Sequence, residues 1–192
     1  MALTGRYQQR YTFPTCSERM KAKRSSTSTT VRFIEPMYAR PVQHLPEGEG
    51  WLYEVKFDGY RCLAGRVKDG VTLWSRRGNL FTKQFPKIAE ACERLPTDTL
   101  LDGEVVAIDE TGRISFNMLQ HHRSQAQALL FYAFDVLIHR GRSLLALPLE
   151  RRREVLSDVF KSKRGGPSAL AVSEIMDTTL AELVRVVREF GF

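Results

Sequence analysis

The residues best suited to do chemistry lie together in one short segment, Glu54-Val55-Lys56-Phe57-Asp58-Gly59-Tyr60-Arg61. A lysine set in a strand-like alternation, with a carboxylate two positions to either side and with glycine and arginine following, is a poor choice for a plain sheet. The combination suits a pocket in which an amine attacks an electrophile. Such an amine needs burial or neighbouring cations to lower its pKa and free its lone pair. Arg61, or a bound metal ion, would supply the cation. On composition alone, a surface strand of alternating charges ending in a glycine turn fits the same residues.

The surrounding pattern predicts the elements that would hold this segment. From Trp51 to Phe57 the chain alternates, with Tyr53, Val55 and Phe57 on one side and Glu54, Lys56 and Asp58 on the other. Arg61 to Val67 and Val71 to Arg76 flank Lys68-Asp69-Gly70, the signature of an antiparallel hairpin closed by an Asp-Gly turn. A helix is expected from about Gln84 to Arg94, with Ile88, Ala91 and Cys92 as its apolar side. Leu100 to Ile108 and Leu129 to Leu137 read as buried strands, separated by a turn at Asp109 to Gly112 and a polar stretch of helical character from Met118 to Gln127. The last third reads as helical, through Leu149, Arg153, Leu156 and Phe160 and then Leu180, Leu183, Val184 and Val187, with Thr179 and Glu182 as a capping box. This mixture predicts an α+β domain built on antiparallel sheets, not a regular strand-helix alternation.

Charge divides the chain differently. The net charge is +7, yet residues 1–32 hold seven Lys or Arg against the single acid Glu18, so the remainder is almost neutral. The basic segment also contains the polar run Ser25-Ser26-Thr27-Ser28-Thr29-Thr30, which offers no apolar periodicity to bury. It reads as a tail that could hold nucleic-acid phosphates, serve as an organellar address, or have no specific task. No apolar run approaches the roughly 20 residues that span a bilayer, and no secretory signal is evident, so the expectation is a cytoplasmic protein without a membrane partner. Cys16, Cys62 and Cys92 lack disulfide or zinc spacing and read as reduced thiols. His121 and His122 sit in a polar stretch without nearby ligands and read as solvent-exposed.

Lys56-x-Asp58-Gly59-x-Arg61 resembles the KxDGxR signature of the covalent nucleotidyltransferases, the superfamily of ATP-dependent DNA ligases, RNA ligases and mRNA capping enzymes. Three further matches follow in the family's order: Ser75-Arg76-Arg77-Gly78, Asp102-Gly103-Glu104, and Phe131 to Leu137 centred on Phe134-Asp135-Val136-Leu137. The wording is most similar to bacterial DNA ligases of the non-homologous end-joining type, through Glu35-Pro36-Met37, the run from Trp51 to Lys56, and Ser75 to Asn79. The resemblance covers residues 33–192. It implies an antiparallel-sheet adenylation domain in which Lys56 attacks the α-phosphorus of ATP and forms lysyl-AMP. By the same resemblance Glu54 accepts from the adenine amino group, Arg61 and Arg76 hold ribose and phosphates, Glu104 binds the ribose or a metal-bound water, and Phe134 stacks on adenine. Asp58, Gly59, Asp102 and Gly103 would shape the pocket, the glycines by permitting tight turns. Mg²⁺ is implied as the charge neutraliser, its protein ligands unassigned, and nicked or broken double-stranded DNA as the partner, with other repair proteins beside it.

In the family the last helix leads to a strand bearing a metal-binding Glu, then to a lysine motif that contacts the α-phosphate, and usually to an OB-fold domain. The sequence closes at Glu189-Phe190-Gly191-Phe192, where the approach to that strand would begin. The expectation is therefore a domain truncated before its last strands, which binds ATP weakly with magnesium and adenylates itself little. Two alternatives stay open from the sequence: an RNA ligase or capping-type nucleotidyltransferase, and a non-catalytic nucleic-acid-binding remnant.

Overall fold

The computed structural model describes residues 29–38, 51–121, 128–161 and 169–176, together with residues 178, 181, 182 and 185. In chain order the strands are β1 (Tyr53–Glu54), β2 (Tyr60–Val67), β3 (Gly70–Ser75), β4 (Thr99–Ile108), β5 (Ala128–His139), β6 (Arg142–Ser143), β7 (Leu170–Val172) and β8 (Ile175–Met176). The helices are α1 (Pro86–Cys92), α2 (Phe116–Gln120) and α3 (Leu149–Lys161). The main sheet runs β3-β2-β4-β5-β6 and is antiparallel throughout, with β7 added parallel to β5; β1 and β8 form a separate antiparallel pair. The α+β, antiparallel-sheet expectation holds.

Local sequence explains most of these elements. Val67 pairs with Gly70, so Lys68 and Asp69 alone make the β2–β3 turn. Pro86 opens α1 with a fixed φ and no N–H to leave unsatisfied, and Phe85 before it is fully buried against Phe81, ring edge to ring face at 5.3 Å. Ser115 caps α2 by accepting from the Met118 N–H at 3.4 Å. Glu150 in the first turn of α3 and Lys161 in its last both complement the helix dipole.

Two expectations need correction. The strand foreseen from Trp51 to Phe57 shrinks to the two residues of β1, because its partner β8 is equally short and offers only the register Tyr53↔Met176 and Glu54↔Ile175. The last third is not wholly helical: α3 forms as expected, but β7 and β8 follow it. β6 covers β5 only at Ile138 and His139, and Leu170–Val172 takes the edge left beside Phe131–Ala133, with α3 in the crossover that a parallel pairing requires. Of the expected Leu180–Val187 helix only residues 181, 182 and 185 are described, each helical; Thr179 of its expected cap, residues 122–127 and residues 1–28 of the basic tail lie outside the described residues.

The sheet buries both faces, unequally. One face carries Cys62, Ala64, Leu101, Val105, Phe131, Ala133 and Val136 under Ile88 of α1, Leu119 of α2 and Leu156 of α3, all essentially without solvent contact. At about 1.5–3 kcal/mol for each large side chain buried, this layer dominates the stability of the domain. The other face has a smaller cluster, Leu63, Leu100, Leu137 and Ile138, covered by Trp74 and by Val31, Phe33 and Ile34 from the segment before β1. Thr29 is fixed as well, its N–H donating to the Gly141 carbonyl at 2.7 Å. The rest of that second face is where the polar residues of the sequence motifs gather.

Along β4 and β5 the register slips twice. Gly103 pairs with Ala133 and Asp102 with Asp135, leaving Phe134 extra; Leu101 pairs with Val136 and Leu100 with Ile138, leaving Leu137 extra. Such bulges bend a strand and re-aim its side chains.

Candidate active site

Cross-strand register assembles the first part of the site. Arg61 pairs with Glu104 and Glu104 with Tyr132, so the three side chains form one row on one face; Leu63, Asp102 and Asp135 form the next row on the same face. Arg61 donates from Nε and Nη2 to the two oxygens of Asp102, each at 2.6 Å, and from Nη2 to the Met37 carbonyl at 3.4 Å. Its guanidinium also lies over the Phe134 ring, 4.6 Å from the centroid. Arg61 is 17% exposed and Asp102 6%, so this fork-on-fork pair is shielded from water and fixed in geometry. Phe134 itself is 6% exposed, with one ring face under Arg61.

A second buried arginine holds the other end. Arg153 of α3 forms an ion pair with Glu54, Nη1 lying 2.8 Å from Oε1, and donates from Nη1 to the Phe134 carbonyl at 2.7 Å and from Nη2 to the Ser173 carbonyl. Burial lowers its pKa, and the Glu54 and Asp135 carboxylates act in the opposite direction. Its neighbour Arg152 forks onto Asp135, Nε to Oδ1 and Nη2 to Oδ2, both at 2.8 Å, and donates to the Leu147 carbonyl at 2.7 Å. Sequence reasoning missed both partners, and counted Arg153 within the apolar stripe of its helix. The available signal was the run Arg151-Arg152-Arg153, of which only Arg151 is fully in solvent, paired there with Glu154.

Lys56 sits between two anchored neighbours. Glu54 is tied to Arg153, and the Phe57 ring stacks on Tyr132 at 4.2 Å with planes 17° apart. Between these points the chain is out of the strand ladder, and Lys56 and Asp58 are exposed, so the expected uniform polar face does not form: Glu54 is turned in, the other two out. Gly59 and Gly103 serve close approach and not the tight turns expected of them. A Cβ on Gly59 would meet the Val105 carbonyl oxygen and, at 2.9 Å, the Glu104 side chain; one on Gly103 would meet the Phe131 ring and the Tyr132 carbonyl at 2.5 Å.

Arg76 stands apart from the other residues singled out in the sequence. It is exposed in the turn after β3, which Ser75 builds by accepting from the N–H groups of Arg77 and Asn79 at 3.3 and 3.0 Å. Its guanidinium lies over Tyr38, 4.1 Å from the centroid. Tyr38 follows Met37, whose carbonyl meets Arg61, so the segment before β1 bridges Arg76 to the main cluster. Arg61, Glu104 and Phe134 thus share one face, Glu54 joins it through Arg153, Lys56 projects from the tethered segment beside it, and Arg76 reaches it by way of Tyr38.

A groove of about 540 Å³ lies behind Arg153, between α3 and β7–β8, lined by Leu52, Glu150, Glu154, Val172 and Ile175 among others. Arg153 lines it, whereas Lys56, Arg61, Glu104 and Phe134 do not. Among the described residues no three His, Cys, Asp or Glu side chains gather as a metal cage. His121 is exposed with Nδ1 2.9 Å from the Asn117 carbonyl, and Cys62 and Cys92 are buried free thiols, that of Cys62 pushed up in pKa by burial.

Comparison with known proteins gives this arrangement a context. The ATP dependent DNA ligase domain family matches residues 20–190. The multifunctional non-homologous end joining protein LigD of Pseudomonas aeruginosa is 34% identical over 158 residues, covering 80% of this chain and 19% of that protein. DNA ligase C1 of Mycolicibacterium smegmatis is 36% identical over 146 residues, 68% of this chain and 42% of that one. Among solved structures, a mycobacterial DNA ligase D complexed with ATP and MES superposes with a TM-score of 0.64 at 30% identity, covering 76% of this chain and 46% of that one. The chain therefore spans from about a fifth to less than half of the length of these relatives.

Proposed function

This chain belongs to the ATP-dependent DNA ligase domain family, and from that premise we propose that it is the nucleotide-binding part of an end-joining type ligase in which Lys56 takes AMP from ATP. The observation that carries the reading is the mounting of Lys56: an exposed amine on a segment pinned on one side by Glu54–Arg153 and on the other by Phe57–Tyr132, next to the Arg61, Glu104 and Phe134 face. Pinning the backbone while leaving the amine accessible lowers the entropy lost when the nucleophile meets phosphorus. Lys56 Nζ, once deprotonated, forms a bond to the α-phosphorus as the bond to pyrophosphate breaks, and the product is a phosphoramidate.

The other residues bind and orient. The Glu54 carboxylate accepts a hydrogen bond from the adenine 6-amino group; guanine has a carbonyl there, which offers no proton. Arg61 uses Nε and Nη2 on Asp102 and Met37, which leaves Nη1 directed to ribose or phosphate. Phe134 is the ring against which adenine stacks. Arg76 supplies an exposed cation for the phosphates, and Glu104 meets a ribose hydroxyl or a metal-bound water. Magnesium fits a site of this kind, because it takes most of its ligands from phosphates and water and needs only one or two carboxylates. Glu104, which shares its face with Arg61, would offer a carboxylate to it. When bound, the ion neutralises charge on the phosphates. Nicked or broken double-stranded DNA is the macromolecular substrate, approached by the basic segment before residue 29, and other repair proteins of the cytoplasm are further partners.

Intact-mass measurement after incubation with ATP and magnesium, beside equilibrium binding of ATP and GTP, tests the reading. We expect magnesium-dependent ATP binding that GTP displaces poorly, and a minor fraction of chains gaining one AMP, with none in Lys56→Ala. Labelling that persists in Lys56→Ala would overturn the nucleophile, and equal binding of ATP and GTP would move a capping-type activity forward.

A further inference from the structure

We infer that Arg153 is a positioning residue for nucleobase selectivity: it fixes Glu54 against the Phe134 segment so that only an amino-bearing purine edge is accepted. This rests on the reading of Glu54 as the group that meets the adenine amino group. The geometry is specific. One guanidinium nitrogen, Nη1, pairs with Glu54 Oε1 at 2.8 Å and donates to the carbonyl of Phe134 at 2.7 Å, while Nη2 reaches the Ser173 carbonyl. A single rigid fork therefore sets the distance between the carboxylate that reads the edge of the base and the residue whose ring takes its face.

Arg152 shows that this arrangement is more than a way of fastening α3 to the sheet. The fastening is already made one residue earlier, by the Arg152–Asp135 pair. Arg153 instead engages oxygens from three places: β1, β5 and Ser173 directly after β7. It also controls what Glu54 can offer. Glu54 is 14% exposed, and the ion pair through Oε1 restricts the directions in which its carboxylate can accept. Without that fork the carboxylate can turn, and the acceptor that singles out the amino edge of adenine is no longer held in place. Loss of Arg153 should thus weaken ATP and strengthen GTP in relative terms, which a general loosening of the fold would not do.

The test is equilibrium binding of ATP and GTP, with magnesium, to the full chain carrying Arg153→Lys, Arg153→Leu or Arg152→Lys, and to Glu54→Gln with and without Arg153→Lys. Arg153→Leu should lower the ATP-to-GTP affinity ratio about tenfold, the scale of one charge-assisted hydrogen bond, and Arg153→Lys by a smaller factor. Arg152→Lys should leave the ratio unchanged, and in the Glu54→Gln background Arg153→Lys should change it no further. If Arg153→Leu does not fold, as judged by circular dichroism, the Arg153→Lys cycle decides. Equal proportional loss of both nucleotides in Arg153→Lys would reduce Arg153 to a structural residue and overturn the inference, while a ratio that falls in Glu54→Gln keeps the reading of Glu54. A wild-type chain that does not distinguish ATP from GTP would defeat both.

Discussion

The half of the site that would read the nucleoside and the half that would touch phosphorus are built in opposite ways. Glu54 and Arg61 are each locked to a buried partner, Arg153 and Asp102, with a third guanidinium–carboxylate pair, Arg152–Asp135, beside them. Lys56 and Arg76 are exposed, one between two anchored neighbours and the other resting on the half-exposed ring of Tyr38. Recognition of a flat base gains from fixed donors and acceptors, because each misplaced one leaves a polar group unmatched. A nucleophile that must approach phosphorus, and then carry the adduct, gains from a fixed root and a mobile tip. The contrast teaches that rigidity is apportioned by task, so that stability and reactivity should respond to different residues.

The largest effect expected is on labelling. Lys56→Ala should abolish AMP transfer, a loss of at least about 100-fold, yet shift unfolding free energy by no more than about 0.5 kcal/mol, because the side chain is exposed. A large loss of stability in urea unfolding would break the division between the two halves. Next comes Asp102→Ala, which strands the 17%-exposed Arg61 without its carboxylate; about 3 kcal/mol of destabilisation is expected, as for other shielded pairs that lose one partner. A change below about 1 kcal/mol would mean that Arg61 can turn out to solvent, and that this half is not locked at all. Deleting residues 1–28, and not the packed Val31 beyond them, should weaken DNA binding roughly tenfold at low salt and flatten its salt dependence while the domain stays folded. An unchanged slope would return DNA contact to the exposed side chains of the site itself.

The smallest expected effect concerns His139 at the end of β5, whose Nδ1 is buried without a hydrogen-bond partner among the described residues. Burial, and then Arg140, lower its pKa from the ordinary 6.5. Below pH 6.5 the unfolded chain takes up a proton that the folded chain resists, so stability falls as pH drops from 6.5 toward the folded pKa and is unaffected by this group above it. His139→Gln should flatten that part of a thermal-unfolding pH series. An unaltered slope would assign it to another group.

The parts legible in the sequence were those whose signals are local. Lys68-Asp69-Gly70 announced a hairpin, the apolar runs announced β4 and β5, and the helical spacing of Leu149, Leu156 and Phe160 announced α3. The motif residues were legible as a set, and the register of β2, β4 and β5 brings Arg61, Glu104 and Phe134 to one face. What could not be read is what holds them. Arg61 and Asp102 are 41 positions apart and Arg152 and Asp135 are 17, so no spacing rule links them. Arg153 was hidden by occupying an apolar helical position, where a long side chain can bury its stem and still reach a carboxylate. β7 and β8 are too short to display a period, and their strand state is imposed by the edge of β5 and by β1.

The two slips along β5 carry a consequence for how this domain can change length. Side chains on a strand repeat every second residue, so an insertion or deletion of one exchanges the faces of everything beyond it, whereas a change of two restores them. Phe134 and Leu137 are each one residue in excess of β4, and together they make up one full period. Between them only Asp135 and Val136 run out of phase, and that interval brings Asp135 onto the face of Asp102 and Val136 opposite the buried Leu101. Removing either extra residue would leave every pairing of β5 with β4 in place and take away only a bulge, whereas removing a paired residue would interchange core and site beyond it. A one-residue change in this stretch thus spares the register only at the two bulges, and an alignment gap placed beside them would misassign the side chains of this face.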